Sequence, residues 1–342
     1  MDDIYIDLYI HSLETEQKKS VNTLEAYRRD IKEFYRYMRG NGAHDASEIT
    51  NADIVAFMMK LKDDGKSGST INRKMASLRS YTAFLCREGV LDADPCDNIK
   101  APKVAKKDVD HLTVEEVDAL LSLPDDSPKG VRDRAILELL YGTGIRVTEA
   151  AELKKNDVNF RIGFITCSGE FGKARIIPLG KPCRSALENY LENVRRTMSG
   201  SKHKNDGTNA ENTAASGGPA AGDASLSDDE YVFVNMRGEK LTRQGLWKIV
   251  KTYADKAGMG HKLTPQILRN SFAVHMIQNG ADLKSIQELM GYEDAAAVQI
   301  YLSVTKNRIK EVYDRTHPRA CAGGGGTGRR RPFWNAGAGA AV

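Results

Sequence analysis

The chain reads as a mainly α protein with one small antiparallel β-sheet: a helical bundle at the N-terminus, then a larger α+β domain. Apolar residues recur at spacings of three and four along most of the chain, and a single stretch, Gly163 to Pro178, has the pattern of paired strands. The length of 342 residues corresponds to about two domains at roughly 100–200 residues each.

Four short amphipathic helices account for residues 1 to about 93. Ile4, Leu8 and His11 share one face of the first. Leu24, Tyr27, Ile31, Phe34, Tyr35 and Met38 mark the second, which Gly40-Asn41-Gly42 stops. Asp53 to Leu61 is the third. The fourth starts at Ser69-Thr70, carries Ile71, Met75, Leu78, Tyr81 and Phe84, and ends before Gly89. Together they predict a small helical bundle. Asp94-Pro95 closes it, and the polar, basic run 94–110 reads as an interdomain linker.

The second domain is expected over 111–317. Thr113-Val114-Glu115-Glu116 is a capping box, because the hydroxyl can accept from a free backbone N–H while the Glu reaches back. A helix over Lys129–Tyr141 follows and breaks at Gly142-Thr143-Gly144. Phe164–Thr166 and Ala174–Ile177 flank a Ser-Gly-Glu-Phe-Gly turn, giving a hairpin. Further helices are expected over Pro182–Thr197, Thr242–Ala257, Pro265–Asn279, Leu283–Met290, Ala295–Ser303 and Lys306–Asp314. Two segments have too few large apolar side chains to offset chain entropy: an insert at 199–229, with two lysines against five acids, and the tail 318–342.

Composition narrows the function classes. Hydrophobic residues at 41% and charged residues at 28% are ordinary for a globular protein, so collagen-like or wholly disordered classes are excluded. No run approaches the roughly 18–20 apolar residues of a membrane span, and the acidic N-terminus MDDIYIDLYI lacks the basic start of a signal peptide. A cytoplasmic protein with no membrane partner is the resulting expectation. Five scattered cysteines form no C-x-x-C pair, which argues against a zinc site or a disulfide framework. The net charge of +4 equals the four arginines of the tail, which holds no acid, so the remainder is neutral. The basic charge is local instead: nine Lys/Arg against four acids lie between Lys66 and Lys107.

Four pieces of the second domain carry residues suited to chemistry. Thr143-Gly144-Ile145-Arg146-Val147-Thr148-Glu149 places an arginine just after a glycine break. The hairpin carries Lys173 and Arg175 and closes at Pro178-Leu179-Gly180. Leu268-Arg269-Asn270-Ser271-Phe272-Ala273-Val274-His275 supplies a second arginine. Leu289-Met290-Gly291-Tyr292 precedes Tyr301 by nine positions. Taken singly, each has a bland reading as a cap, a solvated charge or a core aromatic, and His275 reads as a packed helix residue.

In this order and spacing, the motifs T-G-x-R-x-x-E, P-L-G, L-R-x-S-F-A-x-H, L-x-G-[9]-Y and the closing His317-Pro318-Arg319-Ala320 resemble the tyrosine recombinase (phage integrase) family, most closely its Xer-like bacterial members. The resemblance covers about residues 3–319 apart from the insert. It implies a SAM-like helical DNA-binding domain and a tyrosine-recombinase catalytic domain that clamp double-stranded DNA, working as a homo- or heterotetramer that passes its last helix, about 306–316, to a neighbour. Tyr301 would attack a scissile phosphate to give a 3′-phosphotyrosine and a free 5′-hydroxyl. The covalent intermediate conserves the bond energy, so no cofactor, metal or ATP is implied.

The residue types suit that chemistry. Arg146 and Arg269 offer planar forks for non-bridging phosphate oxygens, and Lys173 is the candidate general acid for the leaving 5′-oxygen. Three positions depart from the family pattern. Gln266 stands where H-x-x-R has its His, Tyr292 where His or Trp follows the Gly, and Glu170 directly after Gly169 where a lysine is usual. Gln266 and Tyr292 remain hydrogen-bond donors, but Gln266 cannot take a proton. The main reading is therefore an active recombinase; the alternatives are a non-catalytic DNA-binding paralogue and, behind it, a type IB topoisomerase-like enzyme. Arg73 and Lys74 on the fourth helix, with Lys103, Lys106 and Lys107 on the linker, are the candidate phosphate contacts. Chromosome-dimer resolution and integration or excision of a mobile element both stay open.

Overall fold

The computed structural model describes residues 2–42, 45–100, 109–168, 174–199 and 230–301. Lys103, Lys106, Lys107, Glu170, Lys173, nearly all of the expected insert, the expected last helix and the tail lie outside the described residues. The chain divides into two compact units, Met1–Lys107 and Asp108–Val342.

The first unit is built from α1 (Asp2–Thr15), α2 (Val21–Gly40), α3 (Asn51–Asp63) and α4 (Gly68–Arg87). Side-chain oxygens of Ser20, Thr50 and Ser67 accept from free backbone N–H groups at the starts of α2, α3 and α4. The apolar stripes read for α2 and α4 meet in one core, where Phe34 and Phe57 pack edge to face at 5.3 Å and the Tyr35 and Tyr81 hydroxyls are 2.8 Å apart. On α1 the face expected from Ile4, Leu8 and His11 is the exposed one, and Ile6, Tyr9, Ile10 and Leu13 enter the core instead, because they are the side chains that meet α2 and α4.

Lys74 needs a correction here. It is 6% exposed, and its ammonium lies 3.0 Å from Asp30 and 2.7 Å from Glu33. Asp30 is itself buried and also takes hydrogen bonds from Arg73 and Ser77. A buried carboxylate needs such partners, so this positive charge is used inside the bundle. Arg73 shares the same carboxylate but keeps about half of its side chain exposed.

In the second unit, α5 (Val114–Ser122) begins with the expected capping box: Thr113 Oγ1 accepts from Glu116 N at 3.2 Å, and Glu116 Oε2 accepts from Thr113 N at 2.8 Å. Helix α6 (Pro128–Thr143) is buried on most sides and forms the centre of the larger core. It ends at Gly144, whose φ of +60° is left-handed; a Cβ there would lie 2.3 Å from Phe272 Cδ1. Helix α7 (Val147–Glu152) follows. The sheet has order β1-β2-β3, all antiparallel, with β1 (Val158–Asn159), β2 (Phe164–Ser168) and β3 (Ala174–Pro178). The pairings Ile165↔Ile177 and Cys167↔Arg175 turn these four side chains toward the core, while Phe164 and Ile176 face outward.

The expected Pro182–Thr197 helix is present as α8 (Lys181–Asn189), a π-helical turn at Tyr190–Val194 and α9 (Arg195–Ser199). The turn fits local packing: the Tyr190 ring stacks on Phe233 and its hydroxyl accepts from Val234 N. Helices α10 (Arg243–Lys256), α11 (Pro265–Gln278), α12 (Leu283–Met290) and the short α13 (Ala296–Gln299) complete the described fold. His275 is buried in α11, with Nε2 donating to Leu112 O at 2.9 Å and Nδ1 accepting from the Tyr141 hydroxyl at 3.0 Å. Among the described residues, no helix is long and apolar enough to cross a membrane, and no cluster of side chains could hold a metal.

Candidate active site

Gly144 turns the chain sharply enough to put Arg146 at the start of α7 rather than on α6. The Arg146 backbone N–H donates to Glu149 Oε2 at 2.6 Å, its Nη1 reaches Glu149 Oε1 at 3.1 Å, and Nη2 lies 3.4 Å from Gly291 O. About a third of its side chain stays open. Arg269 comes from the buried face of α11. Its Nη1 donates to Gly144 O and its Nη2 to Met290 O, the latter at 2.6 Å. Burial lowers its pKa, yet a guanidinium stays protonated in a protein. Two backbone carbonyls thus fix the plane of the fork at the edge of the cleft.

Tyr292 joins the two arginines. Its ring centroid is 5.0 Å from the Arg269 Cζ and 5.7 Å from the Arg146 Cζ. It follows Gly291, whose φ of +65° caps α12. Tyr301, just beyond α13, is wholly buried. Its hydroxyl donates to Asn270 Oδ1 at 3.2 Å and lies 3.2 Å from the Tyr292 hydroxyl, which is then the donor in that contact. The Asn270 amide cannot turn around, because its Nδ2 donates to Asp110 O at 3.1 Å; the same Oδ1 also accepts from Gln266 Nε2 at 2.9 Å. Burial pushes the Tyr301 phenol well above its ordinary pKa.

Arg146, Gln266 and Arg269 line one cleft of about 400 Å³, together with Thr148 on α7 and Arg243 and Trp247 on α10. Trp247 is 44% exposed, which is unusual for so large an apolar surface. Neither Tyr292 nor Tyr301 lines the cleft; Tyr292 packs against both of its arginines, and Tyr301 contacts Tyr292. The structure therefore brings together Arg146, Gln266, Arg269, Tyr292 and Tyr301.

Several site residues carried no assigned role in the sequence reading. Glu149 and Asn270 lay inside quoted motifs, at three and four positions from Arg146 and Gln266, the spacings that put side chains on one helical face. Arg175, whose guanidinium grips Glu149 at 2.7 and 2.8 Å, was visible only as a hairpin charge. Arg243 and Trp247 gave no signal, since only the packing of α10 against α7 brings them to the cleft.

Comparison with known proteins agrees with this geometry. Residues 110–308 match the phage integrase family and residues 6–89 the phage integrase N-terminal SAM-like domain. Tyrosine recombinase XerD of Listeria monocytogenes serotype 4b (strain F2365) is 41% identical over 322 residues, 94% of this chain and all of that one. A putative tyrosine recombinase of Caldanaerobacter subterraneus subsp. tengcongensis is 40% identical over 313 residues, 91% of this chain and 97% of its own. Two solved structures share the fold with a TM-score of 0.66: the Tn1549 transposon integrase with a circular intermediate DNA (16% identity, 90% of this chain, 99% of that one) and the XerH site-specific recombinase on a palindromic difH substrate (18%, 91% and 94%). With one family matching the arginine- and tyrosine-bearing domain and its N-terminal companion matching the helical bundle, the chain belongs to the phage integrase family of tyrosine recombinases.

Proposed function

We propose that this protein cuts and rejoins strands of double-stranded DNA at specific sites through a 3′-phosphotyrosine at Tyr301. The observation that supports it most is the convergence of two guanidinium forks on one open cleft, with the Tyr292 ring against both and the Tyr301 hydroxyl 3.2 Å from that of Tyr292. A scissile phosphate in the cleft would take its non-bridging oxygens to Arg146 and Arg269, where negative charge grows in the transition state. Gln266 supplies a further N–H, and Tyr292 its hydroxyl once Tyr301 no longer takes that proton.

Once Tyr301 leaves its contacts with Asn270 and Tyr292 and enters the cleft, its oxygen attacks phosphorus in line, the bond to the 5′-oxygen breaks, and Lys173 protonates that oxygen as it leaves. In the open cleft the Tyr301 proton passes to water, because neither Asn270 nor Gln266 is basic. Attack by the 5′-hydroxyl of a partner strand reverses the step and reseals the backbone. No metal or cofactor enters.

The division into a helical DNA-binding domain (1–93), a basic linker (94–110), a catalytic domain (111–317) and a tail (318–342) belongs to this proposal. So do a homo- or heterotetramer on two sites, exchange of the last helix between neighbours, and work in the cytoplasm. Lys103, Lys106 and Lys107 are the proposed linker contacts to phosphates, with Arg73 beside them; Lys74 leaves the set. The exposed Arg243 and Trp247 are proposed to contact the DNA flanking the scissile phosphate.

A second reading is a paralogue that binds DNA without cutting it. It rests on the enclosed Tyr301, whose proton is held by Asn270, and on Gln266 in place of a base. The test selects duplexes by binding from a random pool and then assays strand exchange between them. Recombinant products from the native protein, lost in Tyr301→Phe with binding intact, support the proposal. Tight, specific binding without any exchange transfers the case to the second reading.

A further inference from the structure

Arg175 stands outside the cleft, yet its guanidinium makes three hydrogen bonds to the elements that carry the site. Its side chain is 11% exposed. Nη1 and Nη2 hold the two oxygens of Glu149 at 2.7 and 2.8 Å, and Nε donates to Leu289 O at 2.8 Å. One guanidinium on β3 thus joins the N-terminal turn of α7 to the C-terminal end of α12. Gly291 makes room for it: a Cβ there would lie 2.9 Å from Arg175 Nη1.

The charges matter as much as the contacts. Glu149 is the counter-ion of Arg146, and a carboxylate prefers to close on a guanidinium with both oxygens. Here the Arg175 guanidinium occupies both, and the Arg146 guanidinium shares only Oε1, at the longer distance of 3.1 Å. Burial disfavours the charged Glu149, but the bonds from Arg175 and the Arg146 backbone outweigh it and hold the carboxyl below its ordinary pKa. Two arginines therefore share one carboxylate, leaving a net positive charge that Arg146 presents to the cleft. Without Arg175, the Arg146–Glu149 pair would be neutral.

We propose that Arg175 is a positioning residue that sets the positive charge of the phosphate pocket by keeping Glu149 from neutralising Arg146. The proposal rests on the phosphate-binding role given to Arg146 above. It requires no catalytic turnover, so it is testable in a Tyr301→Phe background, where cleavage plays no part.

The experiment measures the affinity of the full chain for two otherwise identical duplexes, one with a scissile phosphate and one with a neutral methylphosphonate at that position. Arg175→Gln should reduce the phosphate preference by roughly tenfold, the scale of one charge-assisted hydrogen bond, and leave methylphosphonate affinity nearly unchanged. Arg175→Gln with Glu149→Gln should restore most of the preference, because the neutralising carboxylate is gone. Arg175→Lys, which keeps the charge and one bond to Glu149, should stay within about threefold of the parent; it also serves if the glutamine variant does not fold. A purely structural role predicts equal losses on both duplexes and no rescue. Equal losses, an unrescued double variant, or Arg175→Lys falling as far as Arg175→Gln at native melting temperature would each overturn the proposal. Preserved phosphate preference without any covalent adduct in the native protein would count against the catalytic reading alone.

Discussion

Arg269→Lys separates what the guanidinium does for the fold from what it does for catalysis. Arg269 is 2% exposed, donates to two carbonyls on different segments, Gly144 and Met290, and lines the cleft. A lysine keeps the charge but brings three donors from one nitrogen, which cannot span both carbonyls and a phosphate. One carbonyl is left unpaired, costing about 1–3 kcal/mol of stability, and one charge-assisted bond to the phosphate is lost, worth about 1.5–3 kcal/mol. At 1.36 kcal/mol per factor of ten, the second loss slows cleavage roughly 10–150-fold. The assay is single-turnover cleavage of a nicked duplex at saturating protein, well below the melting temperature of the variant, with the melting shift measured beside it. Cleavage at the native rate, or a loss that disappears at saturation, would refute the reasoning, since either result means that a single point charge serves the transition state as well as a fork.

Gly144→Ala should destabilise the second unit by about 2–4 kcal/mol, from left-handed strain and the clash with Phe272, and should show as a lower unfolding midpoint in urea. Lys74→Met should cost on the order of 3 kcal/mol, because the buried Asp30 side chain loses a charged partner. The same variant should leave the salt dependence of DNA affinity unchanged; a slope shallower by about 0.9 would return Lys74 to the interface. Stability should also fall as pH drops below 6.5. Burial lowers the His275 pKa from that value, so the unfolded chain binds the proton first, and His275→Gln should flatten this part of the melting-temperature profile. Glu149, held below its ordinary 4.5, adds a further loss as pH falls below that value.

Much of the fold was legible because its signals are local. The T-x-x-E box at Thr113, the alternation on both sides of the hairpin and the periodic stripe of α2 each encode an element within a few residues. What escaped was what neighbours impose. Helix α7 has six residues and β1 two, too few for a periodic signal, and the π turn at Tyr190 depends on Phe233 and Val234, more than forty positions away. The site divides in the same way. Arg146, Arg269 and Tyr301 stand out through motif order, whereas the roles of Asn270 and Arg175 rest on contacts with Asp110, Glu149 and Leu289 that no spacing announces. Lys74 was misread for the same reason: a basic residue in a basic stretch looks solvated until its carboxylate partners on α2 are seen.

The most direct measurement digests the protein after reaction with a nicked duplex and locates the DNA-linked peptide by mass spectrometry. The account predicts one linkage, from the Tyr301 oxygen to a 3′-phosphate, with a free 5′-hydroxyl on the released strand. A linkage through another residue, a 5′-phosphate attached to the protein, or unmodified Tyr301 in a sample that has exchanged strands would contradict it.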